Sequence, residues 1–172
     1  ADRGELDLYA PVARYWPEFG VAGKQDITIA SVLGHRSGVI GPRTRLHWND
    51  TTDWDRVCEQ IAASEPWWEP GTAQGYHMVT FGFILGEVVR RVTGRTIGQY
   101  LRTEIAEPMG IDVHIGLPVG EHHRCADMVN KPHIRDVLAK GDAPDEPQSL
   151  RERAIAGQSI TMGFETDYEL VS

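Results

Sequence analysis

Between positions 54 and 105, apolar residues return every three or four places, the period of a helix with one buried face. Trp54, Val57, Cys58, Ile61 and Ala62 follow the i, i+3, i+4, i+7, i+8 spacing, which predicts a helix with Thr52 as its N-cap and Glu65-Pro66 as its end. The stretch 78–93 is apolar almost all round, with Thr80, Glu87 and Arg91 on one narrow line. That helix is expected to be surrounded by others and to stop at Gly94. Thr96-Ile97-Gly98-Gln99 reads as a capping box, followed by an inner face of Ile97, Tyr100, Leu101 and Ile105 that Pro108 closes. Upstream, a short helix is expected over 7–15 with Pro11 in its first turn. A second begins after Thr28, places Ile29, Val32 and Leu33 on one face, and is ended by Gly34 and Gly38. Alternation bounded by Gly110 and Gly116 predicts a single short strand over 112–115. Beyond Lys131 the pattern weakens into short helices over 134–140 and 150–156, the latter capped by Ser149, around an acidic loop over 141–148. The chain therefore reads as one helix-rich subdomain over 1–172 with little strand.

Composition changes this picture only by exclusion. At 172 residues, 41% hydrophobic and 24% charged, the chain is expected to fold around one core. Lys+Arg number 17 against 25 Asp+Glu, a net charge of −8, and no basic stripe interrupts the acidic balance. A nucleic acid or an anionic membrane surface thus loses its main electrostatic support as a partner. The longest apolar stretch, 79–92, is broken by Thr80, Glu87, Arg90 and Arg91, so no membrane span is expected. Two cysteines, Cys58 and Cys125, are too few for a disulfide framework, which leans the protein towards a reducing, cytoplasmic setting.

Candidate chemistry gathers in 67–78, a stretch rich in Gly, Pro and aromatic residues between two strongly periodic helices. Tyr76 stands at the N-terminal end of the 78–93 helix, where the helix dipole and any nearby ammonium would favour its phenolate and make it usable as a general base. Trp67 and Trp68 are candidates to line an acyl-binding pocket, with burial in the core as the equal alternative. His77 either tunes the phenol or caps the helix. His35 stands two residues before Ser37, a spacing that suggests catalysis at first sight, and it falls where Gly34 and Gly38 end the preceding helix. His122, His123 and Cys125 lack a fourth ligand at a standard spacing and read as solvated surface, so neither a metal nor a cofactor is called for. Among Ser31, Ser37, Ser64, Ser149, Ser159 and Ser172, none has Lys three residues later, and Gly157-Gln158-Ser159-Ile160-Thr161 lacks the second glycine of a nucleophile elbow.

Four ordered blocks give this chemistry a context. They are Leu6-Asp7-Leu8-Tyr9-Ala10-Pro11-Val12, then Ile27-Thr28-Ile29-Ala30-Ser31-Val32-Leu33-Gly34-His35-Arg36-Ser37-Gly38. Glu69-Pro70-Gly71-Thr72 with Tyr76 comes next, and Phe81-Gly82-Phe83-Ile84-Leu85-Gly86 leads on to Glu107-Pro108-Met109-Gly110-Ile111. Together, over about residues 1–117, they resemble the penicillin-recognising serine hydrolases: class C β-lactamases, DD-peptidases and β-lactamase-like carboxylesterases. Gly75-Tyr76-His77 and His114-Ile115-Gly116-Leu117-Pro118 are most similar to the carboxylesterase branch.

The resemblance implies an α+β, β-lactamase/transpeptidase-like fold, of which this chain is mostly the helical subdomain. It also implies an acyl-enzyme mechanism on a small ester or β-lactam-like substrate, with a Ser-x-x-Lys nucleophile box, a Tyr-x-Asn second box and a C-terminal third box. Tyr76 falls on the second-box tyrosine, the family's proton-transfer position, and Met78 stands where Asn is common, which favours ester over β-lactam or peptide hydrolysis. The nucleophile segment is expected just before the Leu6-Asp7-Leu8 block and the third box after residue 172. The chain alone is then expected to be an inactive fragment that self-associates or binds a complementary fragment through apolar surface of 79–92 and the Trp67-Trp68 loop. The alternatives are a DD-peptidase, a β-lactamase, or an inactive penicillin-binding-like domain used for binding or assembly.

Overall fold

A computed structural model describes residues 1–44 and 48–126; the helices expected over 134–140 and 150–156 and the loop between them lie outside the described residues. Among the described residues there are five α-helices: α1 (Ile29–Leu33), α2 (Trp54–Ala63), α3 (Thr80–Thr93), α4 (Ile97–Leu101) and α5 (Glu107–Met109). A π turn over Arg102–Ala106 joins α4 to α5 into one helical run.

The helix expected over 7–15 does not form. Its residues make an Asx turn, in which Asp7 accepts from the Tyr9 amide at 2.9 Å, an antiparallel bridge between Pro11 and Thr28, and a single 3-10 turn over Val12–Arg14. Proline is the reason: it disfavours helical backbone at Ala10, itself sits extended at ψ 143°, and leaves the Val12 amide to donate to Ile27 across the bridge at 2.8 Å.

The cap of α2 is also one residue later than expected. Asp53, rather than Thr52, takes the extended conformation and accepts from the Arg56 amide at 3.1 Å, placing a carboxylate at the positive end of the helix. Helix α3 begins at Thr80 rather than 78, because the Thr80 hydroxyl donates to the Val39 carbonyl at 2.6 Å and ties the helix start to the loop after α1. The expected strand over 112–115 is not one: among the described residues the Pro11–Thr28 bridge is the only β pairing, so the alternating segment has no strand to pair with. It lies instead against α4, where the Ile115 carbonyl occupies the space a side chain at Gly98 would need. The capping box at Thr96 and Gln99 and the left-handed Gly94 stop, φ 70°, form as the sequence predicts.

The core joins the N-terminal turns to the first three helices through Val12, Trp16, Phe19, Ile27, Ile29, Val32, Val57, Ile61, Ile84 and Val88. Two charged groups are sealed into it. Lys24 is fully buried, and its ammonium donates to the carbonyls of Ala62, at 2.9 Å, and Ser64, where α2 ends; the lysine thereby satisfies terminal carbonyls that the helix leaves open. Glu87, on the inner face of α3, receives Arg90, Arg91 and the Trp54 indole N–H. Exposed apolar side chains outside this core include Tyr9, Met109, Ile115 and Val119. In helix α3, Thr80, Ile84, Gly86, Glu87 and Val88 are buried while Gly82 and Arg91 are exposed, and both Trp67 and Trp68 are half-buried.

Candidate functional site

Two loops meet in front of α3, one following α1 and one preceding α3. Their backbones are laced together: the Trp67 amide donates to Gly38 at 2.8 Å, the Gly71 amide to Arg36 at 2.9 Å, and the Gly75 amide to His35 at 3.0 Å. The Arg36 guanidinium returns to the Gly71 carbonyl at 2.5 Å, and the Gln74 amide to Gly34 at 3.3 Å. Gly38 is required at the crossing, since φ is +75° and a Cβ would stand 2.6 Å from the Trp68 carbonyl oxygen.

The tryptophans brace this junction. Trp67 donates its indole N–H to the Gly41 carbonyl at 2.8 Å, and the Arg43 guanidinium lies 4.1 Å above its ring. Trp68 lies across Gly75, whose missing side chain leaves room for the indole, and its Nε1 is buried without a partner among the described residues. Both rings are half-buried, so each packs the junction and keeps one part open.

Tyr76 is presented on the outside of the second loop, 69% exposed, with its ring 4.9 Å from that of His35. Among the described residues its hydroxyl has no hydrogen-bond partner. It stands four residues ahead of the first residue of α3 rather than within its first turn. His77 points the opposite way and is fully buried. Its Nδ1 faces the Gly75 carbonyl at 2.6 Å and its Nε2 the Ser37 hydroxyl at 2.6 Å, so it neither touches the phenol nor caps α3 through its side chain. A carbonyl can only accept; His77 therefore carries its proton on Nδ1, and Ser37 donates to Nε2 while accepting from the Val39 amide at 3.2 Å. Burial, against the opposing pull of the Gly75 carbonyl, keeps the His77 imidazole below its ordinary pKa and hence neutral. With Ser37 fully buried too, this Ser–His pair has no access to a substrate and is a structural contact rather than a nucleophile and its base.

The remaining histidines lie elsewhere. His114 pairs with Asp112 at 3.0 Å and lines a cavity of about 220 Å³ with Thr96, Gln99 and Arg102; neither Tyr76 nor the tryptophans border it. His122 and His123 face the carbonyls of Leu117 and Gly120. No group of three metal-binding side chains occurs among the described residues. Sequence reasoning passed over the place of His35 in the junction. The signal was a non-glycine residue between Gly34 and the Ser37-Gly38 turn, a position that the structure puts at φ +56°.

The family model described as Beta-lactamase matches residues 1–162, and the chain belongs to that family. Its fold is the β-lactamase/transpeptidase-like one, seen in its mostly helical part.

Among solved structures it is similar to a family VIII carboxylesterase, 51% identical with a TM-score of 0.71 over 74% of this chain and 36% of that one. A penicillin-binding protein homologue from Caulobacter crescentus is 38% identical, with a TM-score of 0.72 over 88% of this chain and 43% of that one. The esterase/beta-lactamase LipL of Mycobacterium tuberculosis is 40% identical over 119 residues, which are 69% of this chain and 27% of LipL. The chain thus spans well under half the length of each of these relatives.

Proposed function

We propose that the chain is the central, helical part of a serine hydrolase that cleaves small carboxylic esters through an acyl-enzyme, and that Tyr76 transfers the proton between nucleophile and leaving group. The observation that carries this reading is the presentation of Tyr76: an exposed phenol, free of any hydrogen bond among the described residues, on a turn pinned from behind. A proton-transfer group must reach the reacting atoms while its own position is fixed, and a free hydroxyl on a rigid support meets both conditions. The names of the family VIII carboxylesterase and of LipL support the ester substrate. So does Met78, exposed at the third position of the Tyr-x-Asn box, where it offers no amide to a β-lactam or peptide. The serine, its lysine and the oxyanion hole belong in this reading to segments outside the 172 residues, and the chain alone is inactive. Trp67 and Trp68 form the wall against which an acyl group packs, and His77 supports that wall from within.

In the full-length protein, Tyr76→Phe is expected to lower kcat on a p-nitrophenyl ester by roughly 10²–10⁴ with the fold intact, since it removes one oxygen and almost no packing volume. An unchanged kcat would reduce Tyr76 to a structural role and sink the proposal.

A further inference from the structure

His35 touches the Tyr76 turn at three successive residues. Its carbonyl accepts from the Gly75 amide at 3.0 Å, its ring lies 4.9 Å from the Tyr76 ring, and its Nδ1 accepts from the His77 amide at 3.2 Å. The same imidazole also packs on Phe81, in the first turn of α3, with ring centroids 5.0 Å apart. These contacts require a left-handed backbone at His35, φ +56°, which is unfavourable for a residue with a side chain and is kept only where the surroundings impose it. They also fix the proton. An Nδ1 that accepts from an amide carries no hydrogen, so His35 is the Nε2–H tautomer, opposite to His77 behind it.

We propose that His35 is a positioning residue for Tyr76: it brackets the tyrosine from the residue before to the residue after and sets the direction of the phenol. The inference rests on the proton-transfer reading of Tyr76 and deepens it. A phenol on a turn held only by its backbone would sample several directions, and misplacement of a transfer group lowers kcat far more than it alters substrate binding.

Two variants of the full-length protein separate the elements of the hold. His35→Asn keeps an acceptor near the Nδ1 position and tolerates left-handed backbone, whereas His35→Phe keeps a ring face and loses the acceptor. With active enzyme counted by a serine-directed phosphonate, His35→Phe is expected to lower kcat on a p-nitrophenyl ester about 10–100-fold, with KM within about twofold. His35→Asn is expected to retain kcat within about fivefold, and in a Tyr76→Phe background His35→Phe is expected to cost almost nothing further. Equal losses in both variants, losses that add to that of Tyr76→Phe, or losses explained by the phosphonate count would overturn the proposal. Nitrogen-15 spectra of histidine-labelled unmodified protein give a readout independent of folding in the variants: His35 protonated at Nε2 and His77 at Nδ1 support the bracket, and any other pair of tautomers refutes it. Should Tyr76→Phe by itself leave kcat unchanged, the proton-transfer reading fails, and the hold of His35 on the turn stands or falls on those tautomers.

Discussion

Glu87 shows how one residue can tie three elements together. Its side chain is 1% exposed, and burial alone would raise its pKa; the hydrogen bonds from Arg90, Arg91 and the Trp54 indole outweigh that and hold it down to about 2. Arg90 also reaches Asp55 on α2, and Arg91 reaches Glu18 in the N-terminal turns, so the carboxylate anchors two arginines that clamp α3 to its neighbours. A carboxyl group whose folded pKa lies below its ordinary value of 4.5 stabilises the fold fully above that value, and the contribution is lost as pH falls towards 2. The buried cluster is therefore expected to make the fold acid-sensitive between about pH 4.5 and 2, by on the order of 2–3 kcal/mol. Glu87→Gln should lower the melting temperature at pH 7 and flatten its decline over that window. Parallel acid profiles for the two proteins, measured by calorimetry, would mean that other carboxylates carry the effect. Cys58, 3.9 Å from the same carboxylate, is pushed up to about 12 by burial and is inert as a nucleophile.

At the scale of elements, the contact of α2 with α3 depends on Gly86. A Cβ there would stand 2.6 Å from the tip of the Trp54 indole. That ring has little freedom to give way, since its N–H is bonded to Glu87 at 2.8 Å and its face packs on Phe83 at 4.7 Å. Helix propensity favours alanine over glycine by about 1 kcal/mol, while overpacking a fixed contact costs about 1–3 kcal/mol. Gly86→Ala is accordingly expected to destabilise by up to about 2 kcal/mol net and to alter the near-ultraviolet circular dichroism of Trp54. A rise in melting temperature would show that the helices separate without cost. The periodicity of α2 and α3 makes their buried faces legible, but it leaves Glu87 on a narrow polar edge with Thr80 and Arg91 and does not say what that edge meets. Only the arrival of Trp54 and the two arginines turns that edge inward.

For the molecule as a whole, the exposed apolar residues decide how it behaves in isolation. Ile105, Met109, Ile111, Val113, Ile115 and Val119 are all exposed in one stretch of chain, and Tyr9 is 81% exposed near the N-terminal turns. Apolar surface of this extent favours association. We expect the 172-residue chain, prepared alone, to self-associate at micromolar concentration or to melt at low temperature. Light scattering with a thermal melt checks this; a monodisperse monomer with a cooperative, high-temperature transition would show that the surface is covered from within. The sequence predicts such surface on parts of 79–92 and at Trp67-Trp68. There, Phe81, Phe83, Leu85, Val89, Val92 and both tryptophans are half-buried, and Ile84 and Val88 are buried.

What the sequence determined by itself was local or periodic. The capping box at Thr96, the Gly94 stop, the buried stripe of α2 and the family blocks that mark Tyr76 depend on residues near one another in the chain, and a short window holds the whole interaction. Tertiary structure decided the rest. It turned 7–15 into a bridge and a 3-10 turn because Ile27 offered Val12 a partner, and it left 112–115 unpaired among the described residues because no strand lies beside it. It also sent His77 inward to Ser37, 40 residues away, and seated Tyr76 on His35 across 41 positions. A hydrogen bond of 2.6 Å between residues so distant has no trace in local pattern, because its energy exists only once the two loops have met.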